Sequence, residues 1–350
     1  MNAAHPMHAV SVEIDSCDLR FETDCVAALE RLENMCQRTF GGGFYRYSIT
    51  RSGGPGGAPI FRYLDRSAYR TTYHEPEDLC IFEAPWADIA STTLLAVWLH
   101  FLAELVRQRR GEYLLHASAV ARGGRAIVLF GPGESGKTVC ALDLCLRRGF
   151  QLFANNRIRA TARDGCVQLL EGDARFNLRF SSLWEYSESL CRSVFPDAPE
   201  LEPWCQKKKV IEPGSLGVQV APPRPQAVVF IWIKLDADKH NASVDEISPA
   251  SSSHEAFWAK ADLYQEMSAL IRGVKFIPLV ESRGFQQIFV PSLDNPELVS
   301  GRVRFLVNLF ATARVARMRA SLATSVGAIE RLFGSVSSQD NPDRPHFPSS

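Results

Sequence analysis

The stretch Gly131-Pro-Gly-Glu-Ser-Gly-Lys-Thr138 constrains this chain more than any other. It fits G-x-x-x-x-G-K-[ST], the spacing of a phosphate-binding loop. The spacing has chemical meaning only between a strand and a helix, because backbone N–H groups and the positive end of a helix must converge on the phosphates. The flanks predict both. Arg125-Ala-Ile-Val-Leu-Phe130 is apolar and β-prone, and Val139–Arg148 has helical periodicity and runs into Gly149, a stop signal. Gly131, Gly133 and Gly136 would let the backbone curl round a β-phosphate without Cβ clashes. Lys137 would reach the β- and γ-phosphates, and the Thr138 hydroxyl is the expected magnesium ligand. The candidate cofactor-binding set is therefore Gly131, Gly133, Glu134, Ser135, Gly136, Lys137, Thr138 and Val139, with Thr138 the candidate metal ligand.

Composition narrows the class. Hydrophobic residues make up 46% of the 350 and charged residues 22%, enough for a full globular core. Lys+Arg and Asp+Glu balance at 39 each, which gives no reason to expect nucleic acid as a partner. Nine cysteines, an odd number without C-x-x-C spacing, argue against a disulfide framework or a zinc cage and for a reduced, cytoplasmic protein. The N-terminus lacks a basic segment followed by an apolar core, so no signal peptide is read there. The most apolar window, Ile89 to Val106, carries His100 and Glu104, which favours a buried helix over a membrane span.

The punctuation predicts an α/β chain in four parts. Residues 1–84 read as a small N-terminal α+β module, with strands within 9–21, a helix from Cys25 to Arg38, and strands Phe44–Thr50 and Ile60–Tyr63 around the Gly-rich run 52–57. Residues 85–240 read as the nucleotide-binding core. It would hold one long helix from Pro85 to Arg109, a strand Glu112–Ala121, the loop with its flanks, and a short strand Phe150–Ala154. A hairpin round Asp164-Gly165 would follow, then a helix Ser181–Cys191 and strands Gln206–Ile211 and Ala227–Leu235. The last of these is continuously apolar, as a strand covered on both faces should be. Residues 241–335 read as a mainly helical C-terminal region, with helices Ser253–Ile271 and Pro296–Phe333. The second carries Arg302, Arg304, Arg314, Arg317 and Arg319, read as a solvated basic face. Residues 336–350 have the composition of a disordered tail.

Some subclasses of phosphate-loop protein need motifs that are missing. No L-S-G-G-Q-like string marks a transporter ATPase. The Gly-Glu-Ser-Gly-Lys core is shared with GTPase α subunits, but no guanine-reading Asn-Lys-x-Asp accompanies it. A longer order of strings runs from about residue 85 to 235. An apolar helix is followed by Leu114-Leu-His-Ala-Ser-Ala-Val120, the loop, and Leu142–Leu146. Then come Arg147-Arg-Gly-Phe150, Leu152-Phe-Ala-Asn-Asn156, Leu178-Arg-Phe180 and Lys208-Lys-Val-Ile-Glu-Pro-Gly-Ser-Leu216. This order resembles the HPr kinase/phosphorylase-related kinases, including the shorter homologues found in peptide-natural-product clusters. The resemblance covers under half of the chain. It implies an HPr kinase-like core, ATP and Mg2+ as cofactors, phosphoryl transfer to a small-molecule or peptide acceptor, and His116 as a neighbour of the active site. Oligomeric state is not readable here, although members of that family often assemble into homo-oligomers.

One departure matters. The family's paired carboxylates fall at Asn155 and Asn156. In the family one Asp takes the acceptor's proton and its neighbour helps hold magnesium. A carboxamide takes no proton at neutral pH and is a weaker ligand for a hard dication. Three accounts compete. Glu134, Asp173 or His116 could supply the base. The acceptor could be acidic, already ionised and in need of none, with positioning by Lys137 and the metal lowering the barrier. Or the chain could bind nucleotide as a pseudokinase-like or regulatory module; an ATPase that drives a conformational change is a further alternative. Arg157, next to Asn156, is the preferred addition to the catalytic set Lys137, His116, Asn155 and Asn156, because phosphoryl sites gather cations. Arg159, Arg175, Arg179 and Lys207-Lys-Lys209 are further candidates.

Overall fold

The computed structural model describes residues 6–14, 16–36, 47–51, 57–163, 165–196, 205–236, 238, 240–251, 253–274 and 291–337. The chain divides into two compact units, Met1–Leu114 with Tyr264–Arg304, and Leu115–Leu263 with Phe305–Ser350. Most of the Gly-rich run 52–57, the start of the strand expected from Phe44, and residues 338–350 of the expected tail lie outside the described residues.

The first unit is a six-stranded mixed sheet backed by helices. Its elements are β1 (His8–Ile14), β2 (Cys17–Thr23), α1 (Val26–Cys36), β3 (Tyr47–Thr50), β4 (Ile60–Asp65), β5 (Arg70–His74), β6 (Leu79–Ala84), α2 (Trp86–Ile89) and α3 (Leu94–Arg109). The strands lie in the order β3-β1-β2-β4-β6-β5. Period-2 alternation puts Val10, Val12 and Ile14 of β1 inside and leaves Glu13 exposed. Phe21, Phe61 and Phe82 from the strands meet Leu32 of α1 and Trp98, Phe101 and Leu102 of α3 in one core. The single helix expected over 85–109 is two. The Thr92 hydroxyl donates to the Ile89 carbonyl at 2.8 Å and accepts from the Leu94 amide at 3.2 Å, so one side chain ties together the turn between α2 and α3. Helix α3 is buried along almost its whole length, as its apolar sequence requires. Among the described residues, no helix is long and apolar enough to cross a membrane.

Strands β7 (Glu112–Leu115) and β8 (Ala117–Arg122) follow, separated at His116 where one strand is expected. The second unit continues with β9 (Arg125–Phe130), α4 (Lys137–Arg148), β10 (Gln151–Asn155), β11 (Ile158–Arg163), β12 (Cys166–Gly172), β13 (Phe176–Arg179), α5 (Phe180–Tyr186), α6 (Glu188–Val194), β14 (Lys208–Ile211), β15 (Gln226–Leu235), β16 (Ser243–Glu246) and α7 (His254–Ala269). Beyond these lie α8 (Pro296–Thr312), β17 (Arg314–Ala320) and α9 (Leu322–Ser337); α7 from Tyr264 and α8 as far as Arg304 belong to the first unit. Strands β9, β15 and β17 are parallel neighbours, with β8 and β10 antiparallel beyond β9 and β16 antiparallel beyond β17. Val229, Phe230, Ile231 and Ile233 of the central strand β15 are fully buried, as its apolar run predicts. Helices α4 and α9 bury Cys140, Leu144, Ile329 and Phe333 in the same core.

The helix expected over 296–333 is helix, strand, helix. Val315, Ala316, Met318 and Ala320 are buried because β17 inserts between β15 and β16. Ladder partners and burial outrank local propensity here, and neither is visible in a single segment. The five arginines consequently form no common solvated face. The Arg302 side chain has no exposed surface, Arg314 Nε donates to Glu246 at 2.7 Å, and Arg317 pairs with Glu255 at 2.8 Å. Helix α9 extends to Ser337, so the first two residues of the expected tail are helical.

Candidate functional site

Strands β9, β15 and β17 end together at one edge of the second sheet, and the chain leaves them at Gly131, Asp236 and Ser321. In open α/β sheets ligands bind in the crevice outside the carboxyl ends of the strands. Two glycines shape the loop at this edge. Gly131 has φ +140, and a Cβ there would sit 2.8 Å from the Ile233 carbonyl oxygen. Gly136 has φ +93 at the start of α4, and a Cβ there would sit 2.4 Å from Leu235 Cδ1. Neither position accepts a side chain. A Cβ at Gly133 would meet nothing within 4 Å, so the protein's own atoms do not demand glycine there. The Leu235 amide donates to the Ser135 carbonyl at 3.0 Å, tying the loop to the end of β15.

Lys137 opens α4 and is buried. Its Nζ donates to the carbonyls of Gly131 at 2.8 Å and Pro132 at 2.7 Å. The Thr138 hydroxyl donates to Asn155 Oδ1 at 2.9 Å, and Ser118 of β8 donates to the same oxygen at 2.8 Å. Asn155 ends β10 and is 1% exposed, and its backbone amide donates to the Asp173 carbonyl at 2.8 Å. Asn155 Nδ2 is buried without a hydrogen-bond partner among the described residues. Asn156 takes φ +79, the left-handed region that asparagine tolerates, where the chain leaves β10.

A cavity of about 690 Å³ lies over this arrangement. The loop from Gly133 to Val139, His116, Asn155 and Asn156 all line it. With Ser321, Leu322 and Ala323 also lining it, residues from opposite ends of the second unit's sequence share one space. Other candidates fall elsewhere. Arg157 is not among the lining residues, and its carbonyl accepts from the Asp173 amide at 3.4 Å. Arg159 pairs with Glu171 at 3.0 Å. Asp173 is held by Arg175, whose Nε donates at 2.8 Å and Nη2 at 3.1 Å, and neither lines the cavity. Of the lysine run 207–209 only Lys208 lines it; Lys209 Nζ donates to the Val194 carbonyl at 2.7 Å. Arg179 also lines the cavity and forms an ion pair with Glu134. The hydrogen bond from Arg179, and then its charge, hold the Glu134 carboxyl below the usual glutamate range.

Sequence reasoning missed Asn177, Ser182, Glu185 and Ser321, which line the same cavity. The signal for Asn177 was the alternation Phe176-Asn-Leu-Arg179, whose apolar members are buried. Ser321 was hidden by the continuous helix read across it.

Thr138 offers a magnesium ion one hydroxyl oxygen, and Asn155 offers only a neutral amide oxygen already shared by two hydroxyls. Among the described residues no cluster of three or more His, Cys, Asp or Glu is placed to hold a metal. The donor set thus fits a cation that arrives with phosphate oxygens, and not one caged by protein carboxylates.

No family model matches the chain. No curated protein matches it either. Among solved structures, the Hpr(Ser) kinase/phosphatase from Coxiella burnetii is similar over 65% of this chain and 97% of its own, at 10% identity and a TM-score of 0.31. That is a distant resemblance, from which no activity is carried over.

Proposed function

We propose that the cavity over the loop 131–138 binds the polyphosphate of a nucleoside triphosphate and that the chain transfers its terminal phosphoryl group to a small-molecule or peptide acceptor. The observation that carries this reading is the convergence of the loop, Lys137, Thr138 and the Asn155 amide on one cavity at the carboxyl edge of a parallel sheet. The loop amides and the start of α4 would face the phosphates, with Lys137 moving from the Gly131 and Pro132 carbonyls to the β- and γ-oxygens. ATP as the nucleotide follows from the resemblance to HPr kinase-like proteins. Magnesium, when bound through Thr138 and the phosphates, would neutralise charge developing between the β- and γ-positions. Asn155 and Asn156 offer no base and the Glu134 carboxylate is paired with Arg179, so an acceptor whose oxygen is already ionised suits this site without calling on His116.

A second reading is favoured by one observation, the neutral partner of Thr138. A phosphate-loop module with an amide in that place would bind nucleotide and transfer little, since a general base contributes about 10²–10⁴ in rate. Phosphorus NMR of ATP and magnesium with the protein, over hours and with hydroxyl or carboxylate acceptors, separates the two. Transfer to carboxylates but not to hydroxyls supports the first reading. Binding with ATP unchanged under every acceptor supports the second. Asn155→Asp with Asn156→Asp should raise transfer to hydroxyl acceptors by about a hundredfold or more. No rise would show that a missing carboxylate is not what limits the site.

A further inference from the structure

The wall supplied by the two-stranded sheet has a charge arrangement that the fold does not need. Arg179 of β13 and Lys208 of β14 are direct cross-strand partners, and both line the cavity. Like charges opposite one another destabilise an antiparallel pair. The carboxylate that meets them comes from the loop. Glu134 forms an ion pair with Arg179, and Lys208 acts on the same carboxylate from farther away. Glu134 sits at φ +63, and its side chain is 69% exposed. The Arg179 side chain is 20% exposed, so the open half of the pair is the glutamate, and a carboxylate that open to water is easily exchanged. Asn177, one residue from Leu178 and two from Arg179 on β13, and Ser182 in the first turn of α5 add neutral donors to the same wall.

We propose that Arg179 and Lys208 form an anion subsite for the acceptor, and that Glu134 covers it as an internal counter-ion which a carboxylate or phosphate group of the acceptor displaces. This rests on the reading of the loop as the phosphate donor's site. It gives the missing base a reason. An anionic acceptor oxygen attacks the terminal phosphorus, and the new O–P bond forms as the bond to the β–γ bridging oxygen breaks. The electron pair of that bond leaves with ADP, and no proton has to be removed from the acceptor. Displacing Glu134 also frees the middle of the loop from the wall, which couples acceptor binding to the donor's site.

The test is calorimetric titration of the full chain with inorganic phosphate, with and without saturating ADP and magnesium. Glu134→Gln should tighten phosphate binding about two- to fivefold, the range open to an exposed ion pair. Arg179→Ala should weaken it roughly tenfold, as loss of a charge-assisted fork does, and Lys208→Ala by less. Glu134→Gln placed in the Arg179→Ala background should then have a smaller effect, that of Lys208 alone. The proposal is overturned if phosphate binding ignores both Glu134 and Arg179, or if the Glu134→Gln effect is undiminished in the Arg179→Ala background. It is also overturned if affinity is lost in Lys137→Ala and retained in Arg179→Ala, which would seat phosphate on the loop lysine. ADP binding reads the loop separately. Failure of ADP to bind, with Glu134-dependent phosphate binding intact, would sink the loop reading and leave this subsite standing.

Discussion

Arg302 in the first unit and Arg179 in the second are both held by carboxylates, and the settings differ in kind. Arg302 has no exposed side-chain surface. Its Nη1 donates to Gln108 Oε1 at 2.6 Å and its Nη2 to the two Asp294 oxygens at 2.6 and 2.8 Å. Gln108 in turn donates to Glu104 and to the Met267 carbonyl, both at 2.8 Å. Among the described residues, Arg302 Nε has no hydrogen-bond partner there, but both terminal nitrogens are held. Arg179 instead shares a cavity wall with Lys208, and its carboxylate is a mostly exposed loop glutamate. Buried pairs that satisfy each other are costly to break, whereas exposed pairs contribute little and leave the cation available. On the reading proposed above, the difference separates charges that hold a fold from charges open to a ligand.

The hardest test of that contrast is Arg302→Met, which strands Asp294 and should cost about 3–5 kcal/mol in a urea titration. Arg179→Met should cost less than about 1 kcal/mol. Equal losses would erase the distinction. A smaller effect separates the two kinds of loop glycine. Gly136→Ala should lose about 1–3 kcal/mol, through strain at positive φ and the clash with Leu235. Gly133→Ala should stay within about 0.5 kcal/mol of the parent and weaken nucleotide binding instead. The smallest effect concerns pH. Burial first, and the charge of Arg107 second, hold the imidazole of the wholly buried His100 well below its ordinary value of 6.5. The unfolded chain therefore takes up a proton below that pH that the folded chain refuses. This contribution to stability is complete above about pH 6.5 and is lost as pH falls, by at most about 1.4 kcal/mol per unit. His100→Leu should flatten that slope in melting curves between pH 7 and 5.

What was legible in the sequence was local. The loop spacing, its strand and its helix are consecutive residues, and so is the apolar run of β15. The pairing of Thr138 with position 155 was approached only through a resemblance, since nothing along the chain says that two residues seventeen apart share a hydrogen bond. Strand β17 was illegible for a different reason. Arg314-Val-Ala-Arg-Met-Arg-Ala320 carries apolar residues that suit either period, and only the open edge of β15 decides between them. Misreading it as helix also concealed Ser321. Arg157 looked like a site residue because it adjoins Asn156 in sequence, and Asp173 was one of three candidate bases. In the fold, Arg157 does not line the cavity, and the Asp173 carboxylate is held by Arg175.

On the proposed reading, the loop 131–138 is a nucleotide site served by Lys137. Calorimetric titration of the parent chain and of Lys137→Ala with ATP, each with and without magnesium, addresses it directly. The expected result is saturable binding by the parent, strengthened by the metal, and a loss of roughly a hundredfold in the variant, the worth of a charge-assisted contact to phosphate. Equal affinities in the two proteins, or no binding by the parent, would contradict it.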